Sequence, residues 1–268
     1  MTERAVVPLL SPSPSPADFF KGAALPFQAA GLILRSPKLR TLAALSGVIT
    51  FFSIIVLLWL LGTYTDDLLT HFWARPETWY GQALWYLVMV LSFLGLFVIG
   101  MNTVPLALQA PIQDPMSEAT EELCGGFEPS AFSVGGLAKG VSVGLVHTLT
   151  RIVILLAGQL VLVPLNLIPG LGSILWTVAS SAWTILWVGA EHLGAPMARH
   201  MYPFADVRVA LRKRRALTLG FGAAVYLLLW VPVLNLFFVP MAVVGGTLLF
   251  RGMREIGAIP PLPAPLRK

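Results

Sequence analysis

Cysteine occurs once in the 268 residues, at Cys124, which excludes an internal disulfide and a thiolate metal cluster. Charge is nearly as scarce. Asp, Glu, Lys and Arg make up 12% of the chain, about half of what ordinary soluble domains carry. No stretch fits a secretory signal: Arg4 is followed only by Ala5-Val-Val-Pro8-Leu-Leu10, too short and too broken by proline for a signal's apolar region. Four scattered histidines make no metal site. A Ser-nucleophile elbow, an H-E-x-x-H pair and a Gly-rich phosphate loop are all missing, so neither an enzymatic centre nor a bound cofactor is expected.

What fills the chain instead is apolar. Hydrophobic residues reach 56% and the mean hydropathy is +0.79, the composition of an integral membrane protein. The length leaves room for about six apolar segments with short connections. The net charge is +5. Its basic residues gather at the ends of apolar runs, so the expected partners are anionic lipid headgroups or an anionic solute, and not nucleic acid.

Residues 214–250 organise the rest. Two apolar runs meet at Pro232-Val-Leu-Asn235, with Pro240 and the Gly245-Gly246 pair beyond. Each run holds roughly 15 residues, about 23 Å of helix, against a hydrocarbon core of about 30 Å. A hairpin that enters and leaves on one side fits better than two full spans, its corner sheltered by protein or by a watery cavity. The same order of Pro, Asn, Pro and Gly recurs upstream at Pro164, Asn166, Pro169 and Gly170. Paired interruptions of this kind point to a transport site, although two ordinary helix–loop–helix connections would use the same residues.

Taken in order, Ser11-Pro-Ser-Pro-Ser-Pro16 reads as a stiff, solvated tail over residues 1–17. A single membrane domain then covers 18–254, and a proline-rich tail covers 255–268. Asp18 can cap a helix whose Phe19, Phe20, Ala23, Ala24 and Phe27 form an apolar face, suited to lying along the membrane surface. Residues 42–61 and 82–108 are the two convincing spans, with an aqueous loop from Asp66 to Glu77 between them and a bend at Pro105. A long polar connection with an acidic helix around Glu121 and Glu122 follows. The two hairpins complete the domain, the first over 141–189, joined by a basic segment in which Arg208, Arg212 and Arg215 share a stripe. Lysines and arginines avoid the odd-numbered connections except at Arg75, which places both termini in the cytoplasm of a multi-pass protein.

Two groups of residues can carry anion chemistry. Lys38, Leu39, Arg40 and Thr41 follow Pro37 at the start of the first span. Backbone N–H groups, the positive helix end and basic side chains together suit an oxyanion there, though flanking cations also occur for topology alone. Arg151 lies inside an apolar run, with His147 one turn earlier on the same face. They either line an anion conduit together with Asn166 and Asn235, or form a buried structural pair with Glu118 or Glu122.

The pattern resembles the CysZ-type sulfate permeases, within the family named after an etoposide-induced membrane protein. The likeness rests on Phe20-Lys-Gly22, Ser36-Pro37-Lys-Leu39-Arg40, Ala110-Pro111 with Asp114, Glu118 and Glu122, and Asn166-Leu-Ile-Pro169-Gly-Leu-Gly172. It is densest at Phe204, Arg208, Leu211-Arg212, Arg215, Gly220-Phe-Gly222, Pro232, Asn235, Pro240, Ala242-Val243 and Gly245-Gly246-Thr247. The resemblance implies an all-α fold of two transmembrane helices plus two half-inserted (or fully spanning) helical hairpins; the short second hairpin agrees with half-insertion, while the first, by length alone, could span. It also implies homo-oligomers and uptake of sulfate or a related oxyanion across the bacterial inner membrane for cysteine synthesis. Family members often have two consecutive basic residues where this chain has Arg40-Thr41. That change keeps a second reading open, a non-transporting membrane scaffold of the same family.

Overall fold

The computed structural model describes residues 7–8, 10–125, 134–229 and 232–261, except the side chains at 102–103, 106–107, 110–111, 134–141 and 232–237. Among them all regular structure is helical: α1 (Asp18–Arg35), α2 (Pro37–Phe72), α3 (Trp79–Cys124), α4 (Val134–Leu162), α5 (Gly172–Arg199), α6 (Phe204–Lys213), α7 (Arg215–Leu229) and α8 (Pro232–Glu255). A short 3-10 turn, Val163–Leu167, joins α4 to the approach to α5. Four segments are long and apolar enough to cross a membrane: Pro37–Phe72, Trp79–Met101, Ser142–Leu167 and Gly172–Arg199.

The first two spans overrun their expected ends. Helix α2 has 36 residues and α3 has 46, about 54 and 69 Å of helix. Asp66, Asp67 and His71 belong to the last turns of α2 and not to a loop, which shrinks to residues 73–78. Thr63 and Thr70 satisfy their hydroxyls on the carbonyls four residues back, at 2.8 and 2.7 Å, and Arg75 pairs with Asp66 at 2.9 Å. Polar residues so satisfied do not stop a helix. Likewise α3 runs through Pro105, Pro111 and Pro115, and the acidic helix expected within a long connection is its final turns.

The buried residues collect in one base. Helices α1, α7 and α8 supply most of it through Leu25, Ala29, Leu217, Phe221, Val225, Ala242, Leu249 and Phe250. The ends of α3 and α5 add Ile112, Met116, Trp187, Leu193 and Met197. Gly220-Phe-Gly222 is explained here: a Cβ at Gly220 would strike the Phe19 carbonyl of α1, and one at Gly222 would strike the Ile185 carbonyl of α5. Side-chain-free surfaces let these backbones touch. Helix α1 therefore lies against α7 and α8 on its Gly22, Leu25, Ala29 and Ile33 side, while Phe20, Phe27 and Leu34 face outward.

Two hairpins, α2–α3 and α4–α5, project from this base. Their outer faces are apolar and exposed, at Phe51, Phe52, Leu87, Leu91, Val98, Leu149, Val153, Leu156 and Val178 among others. Each is clasped internally by a glutamine. Gln109 of α3 donates to Thr50 Oγ1 at 2.6 Å and accepts from Ser46, both on α2. Gln159 of α4 donates to Thr184 Oγ1 at 2.9 Å and accepts from Ser180 Oγ at 2.6 Å, both on α5. In an apolar surrounding such pairs substitute for the missing hydrophobic drive between helices.

Several local expectations are corrected. Asp18 does not cap a helix starting at Phe19. It is itself the first residue of α1, and its carboxylate receives Arg214 at 3.1 Å. Arg208, Arg212 and Arg215 do not share a helix, because Arg214 (φ −132°, ψ 48°) separates α6 from α7. It leaves helical geometry to donate also to the carbonyls of Ser11 and Pro12. Those bonds, and Leu10 packed on the core, tie down part of the segment expected to be solvated. At the other end Tyr202 donates to the Pro260 carbonyl at 2.8 Å, and Ala258 and Ile259 are buried. The second elbow is narrower than expected: Pro232 opens α8, Asn235 is already helical, and residues 230–231 lie outside the described part.

Candidate functional site

The amino end of α2 is built by Ser36. Its backbone is extended (φ −96°, ψ 118°), and its hydroxyl accepts from the Leu39 N–H at 3.4 Å. Pro37, which has no N–H to lose, starts the helix. Leu39 is fully buried and anchors the turn, so Lys38, Arg40 and Thr41 are left on the outside. The Thr41 hydroxyl donates to the Pro37 carbonyl at 3.0 Å. Lys38 does not stand alone: its ammonium lies 2.8 Å from Glu122 at the end of α3.

Glu121, next to it, points the other way. Its side chain is 1% exposed and accepts from Arg199 and, at 2.8 Å, from His200 Nε2. The His200 ring lies flat on Phe250, with centroids 5.5 Å apart. Burial alone would raise the Glu121 pKa, but the His200 hydrogen bond and the charges of Arg199, His200 and Arg251 outweigh it and hold the carboxyl below its ordinary value. Arg251 donates to the Gly125 carbonyl just past the end of α3. The last turns of α3, α5 and α8 thus meet with cations at their negative ends. Cys124, in the same place, has its thiol pushed up to about 11 by burial, which makes it a poor nucleophile.

His147 and Arg151 come together on α4 against α5 and the α5–α6 connection. Nε2 of His147 bonds the Tyr202 carbonyl at 2.8 Å, and since a carbonyl only accepts, that nitrogen carries the proton. The ring stands edge-on to Phe204 at 5.4 Å. Arg151 pairs with Glu191 of α5 at 3.2 Å, not with Glu118 or Glu122. The arginine is 20% exposed and the carboxylate 47%, so the pair reaches the outer surface of the hairpin. Asn166 does not join them. It sits exposed at the hairpin tip, 15 residues beyond Arg151 and roughly 20 Å away along the helix, with its amide donating to the Val163 carbonyl at 3.3 Å. The Asn235 side chain lies outside the described residues.

Residues 25–240 match the family described as sulfate transporter CysZ/etoposide-induced protein 2.4. The chain belongs to this family. Membership makes it a multi-pass membrane protein of a transporter-related family and not of a known enzyme family. Among the described residues no group of His, Cys, Asp and Glu could hold a metal ion. The two carboxylates that organise the site were visible in the sequence only as an acidic helix. Adjacent on one helix, they point about 100° apart, and that spacing was the available signal that they serve different neighbours.

Proposed function

We propose that this member of the CysZ family is a permease that passes sulfate across a bacterial inner membrane into the cytoplasm, where it supplies cysteine synthesis. The observation that carries the reading is the Pro37-Lys-Leu-Arg40-Thr41 turn, held rigidly by buried Leu39 at the foot of a spanning helix within the matched region. A dianion entering a membrane must exchange its hydration shell for N–H groups and cations. Here Lys38 and Arg40 offer the cations and the Lys38 N–H is left to donate, Pro37 having none and those of Leu39 and Arg40 being bonded to Ser36. His147 and Arg151 are the candidates for lining further along, in an assembly of several copies whose termini and basic base face the cytoplasm and its anionic lipids. Labelled sulfate uptake into vesicles tests this directly. Uptake above empty vesicles that falls several-fold in Arg40→Gln supports it, and no uptake at any pH from 5 to 8 ends it.

The same reading has α4 and α5 dip into the bilayer and return. The tip, Val163 to Gly172, is apolar except for Asn166, and Leu167 is 81% exposed. The α2–α3 tip is different: it carries Asp66, Asp67, Arg75 and Glu77 with Trp79 and Tyr80 beside them, as a water-facing end requires. In a cysteine-free background, Glu77→Cys should react with an impermeant maleimide from the periplasmic face only. Asn166→Cys should react from the cytoplasmic face only. Periplasmic labelling of Asn166→Cys would establish full crossings instead.

One observation favours the scaffold reading. Lys38 is already engaged by Glu122, so the turn can also be read as a permanent joint between α2 and α3. Unchanged uptake in Arg40→Gln and Arg151→Gln, together with loss of a bound protein on deleting residues 114–128, would select that reading.

A further inference from the structure

The Lys38–Glu122 pair is unusual for a surface contact in how firmly one side is placed. Glu122 follows Glu121, whose buried carboxylate is fastened to Arg199 and His200 of α5. The end of α3 therefore cannot drift, and the Glu122 carboxylate is presented at 2.8 Å to one of the two cations of the α2 turn. Both side chains remain well exposed, 59% for Lys38 and 42% for Glu122. A pair so exposed adds little to stability, yet it puts a negative charge where an incoming anion would lie.

We propose that Glu122 is a built-in competitor for the anion at the α2 turn, an affinity-setting residue that holds Lys38 until a doubly charged oxyanion displaces it. The proposal rests on the sulfate-permease reading of the turn. The physics is an exchange of ligands on one ammonium. A monovalent anion offers Lys38 no more charge than Glu122 does, and it lacks the high effective concentration of a tethered carboxylate. A dianion offers two charges, shared between Lys38 and exposed Arg40 two residues on, so it can win the exchange. Glu122 thereby lowers the affinity of every anion that must displace it by the same factor, and the dianion, which starts from the stronger attraction, is the one that stays bound after that loss. Lys38 changes partner, while Glu121 keeps α3 in place through both states.

The test is equilibrium binding of labelled sulfate to the purified full-length protein in detergent, with chloride as competitor. Glu122→Gln should bind sulfate about two- to five-fold more tightly, the range an exposed ion pair allows, and sulfate should gain at least as much as chloride. In a Lys38→Gln background, Glu122→Gln should change nothing, because the coupling runs through that one ammonium. Glu118→Gln, which removes the same charge one turn away, should not reproduce the effect. Unchanged or weaker sulfate binding in Glu122→Gln overturns the inference alone. An equal gain in Glu118→Gln, or a gain that survives without Lys38, also overturns it. If the wild-type protein shows no saturable sulfate binding, the permease reading falls and the inference with it.

Discussion

The base and the two hairpins follow opposite rules. In the base, backbones touch at Gly220 and Gly222, and charged groups such as Asp18, Arg214 and Glu121 are buried with partners. Along the shafts of the hairpins polar groups are few and, apart from the Arg151–Glu191 pair, face inward, while Leu, Val and Phe cover the outside. One region is a protein interior held by shape and paired charge. The other is a surface made for lipid, held by two glutamine clasps. Stability should therefore be concentrated in the base, where single changes have nowhere to relax.

Glu121→Ala is the severest test of that division. It leaves Arg199 and His200 beside an empty place in the interior, a loss of about 3–5 kcal/mol, visible as a collapse of the thermal transition in detergent. The same residue predicts an acid limb. Its native pKa is depressed, so its contribution is complete above the ordinary carboxylate value of 4.5 and fades as the pH falls through the lower native value. In Glu121→Gln this part of the acid dependence should disappear; an unchanged acid limb would show that Glu121 is not the titrating group.

Gly220→Leu should come next, at about 1–3 kcal/mol or somewhat more, since the added side chain meets the Phe19 backbone. Gly144→Leu on α4 meets nothing within 4 Å and should melt with the wild type. If the two variants melt alike, the contrast between base and hairpin is wrong. The smallest effects belong to the clasps. Gln109→Leu and Gln159→Leu should each cost about 0.6–1.7 kcal/mol, and each should loosen only its own hairpin, read as faster proteolysis or hydrogen exchange there. A global loss in either would mean that the hairpins are part of the core after all.

How much of this was legible beforehand depends on the range of the interaction. Apolar runs and Lys/Arg placement are local, so helical class and membrane character could be read directly, as could the sharp hairpin turn at Pro164 and Pro169. Local rules mislead about the helix ends: Asp66 and Asp67 look like loop, and Pro111 and Pro115 look like breakers, yet side-chain hydrogen bonds carry α2 on and packing at Ile112 and Met116 carries α3. Partners distant in sequence were the hardest. Lys38 with Glu122, Arg151 with Glu191 and Asp18 with Arg214 are choices among several carboxylates and cations, decided by how the helices cross. Nothing in the spacing of Arg208, Arg212 and Arg215 shows that Arg214 must turn inward and split the stripe.

The Asp18–Arg214 lock also has a consequence in time. Its two halves are 196 residues apart, so a ribosome adding about 5–20 residues per second needs roughly 10–40 s to deliver the second after the first. Through that interval the opening helix has no arginine for its carboxylate and no α7 for its glycine face. It must wait for them, and of the described helices the one made earliest is among the last to find its seat.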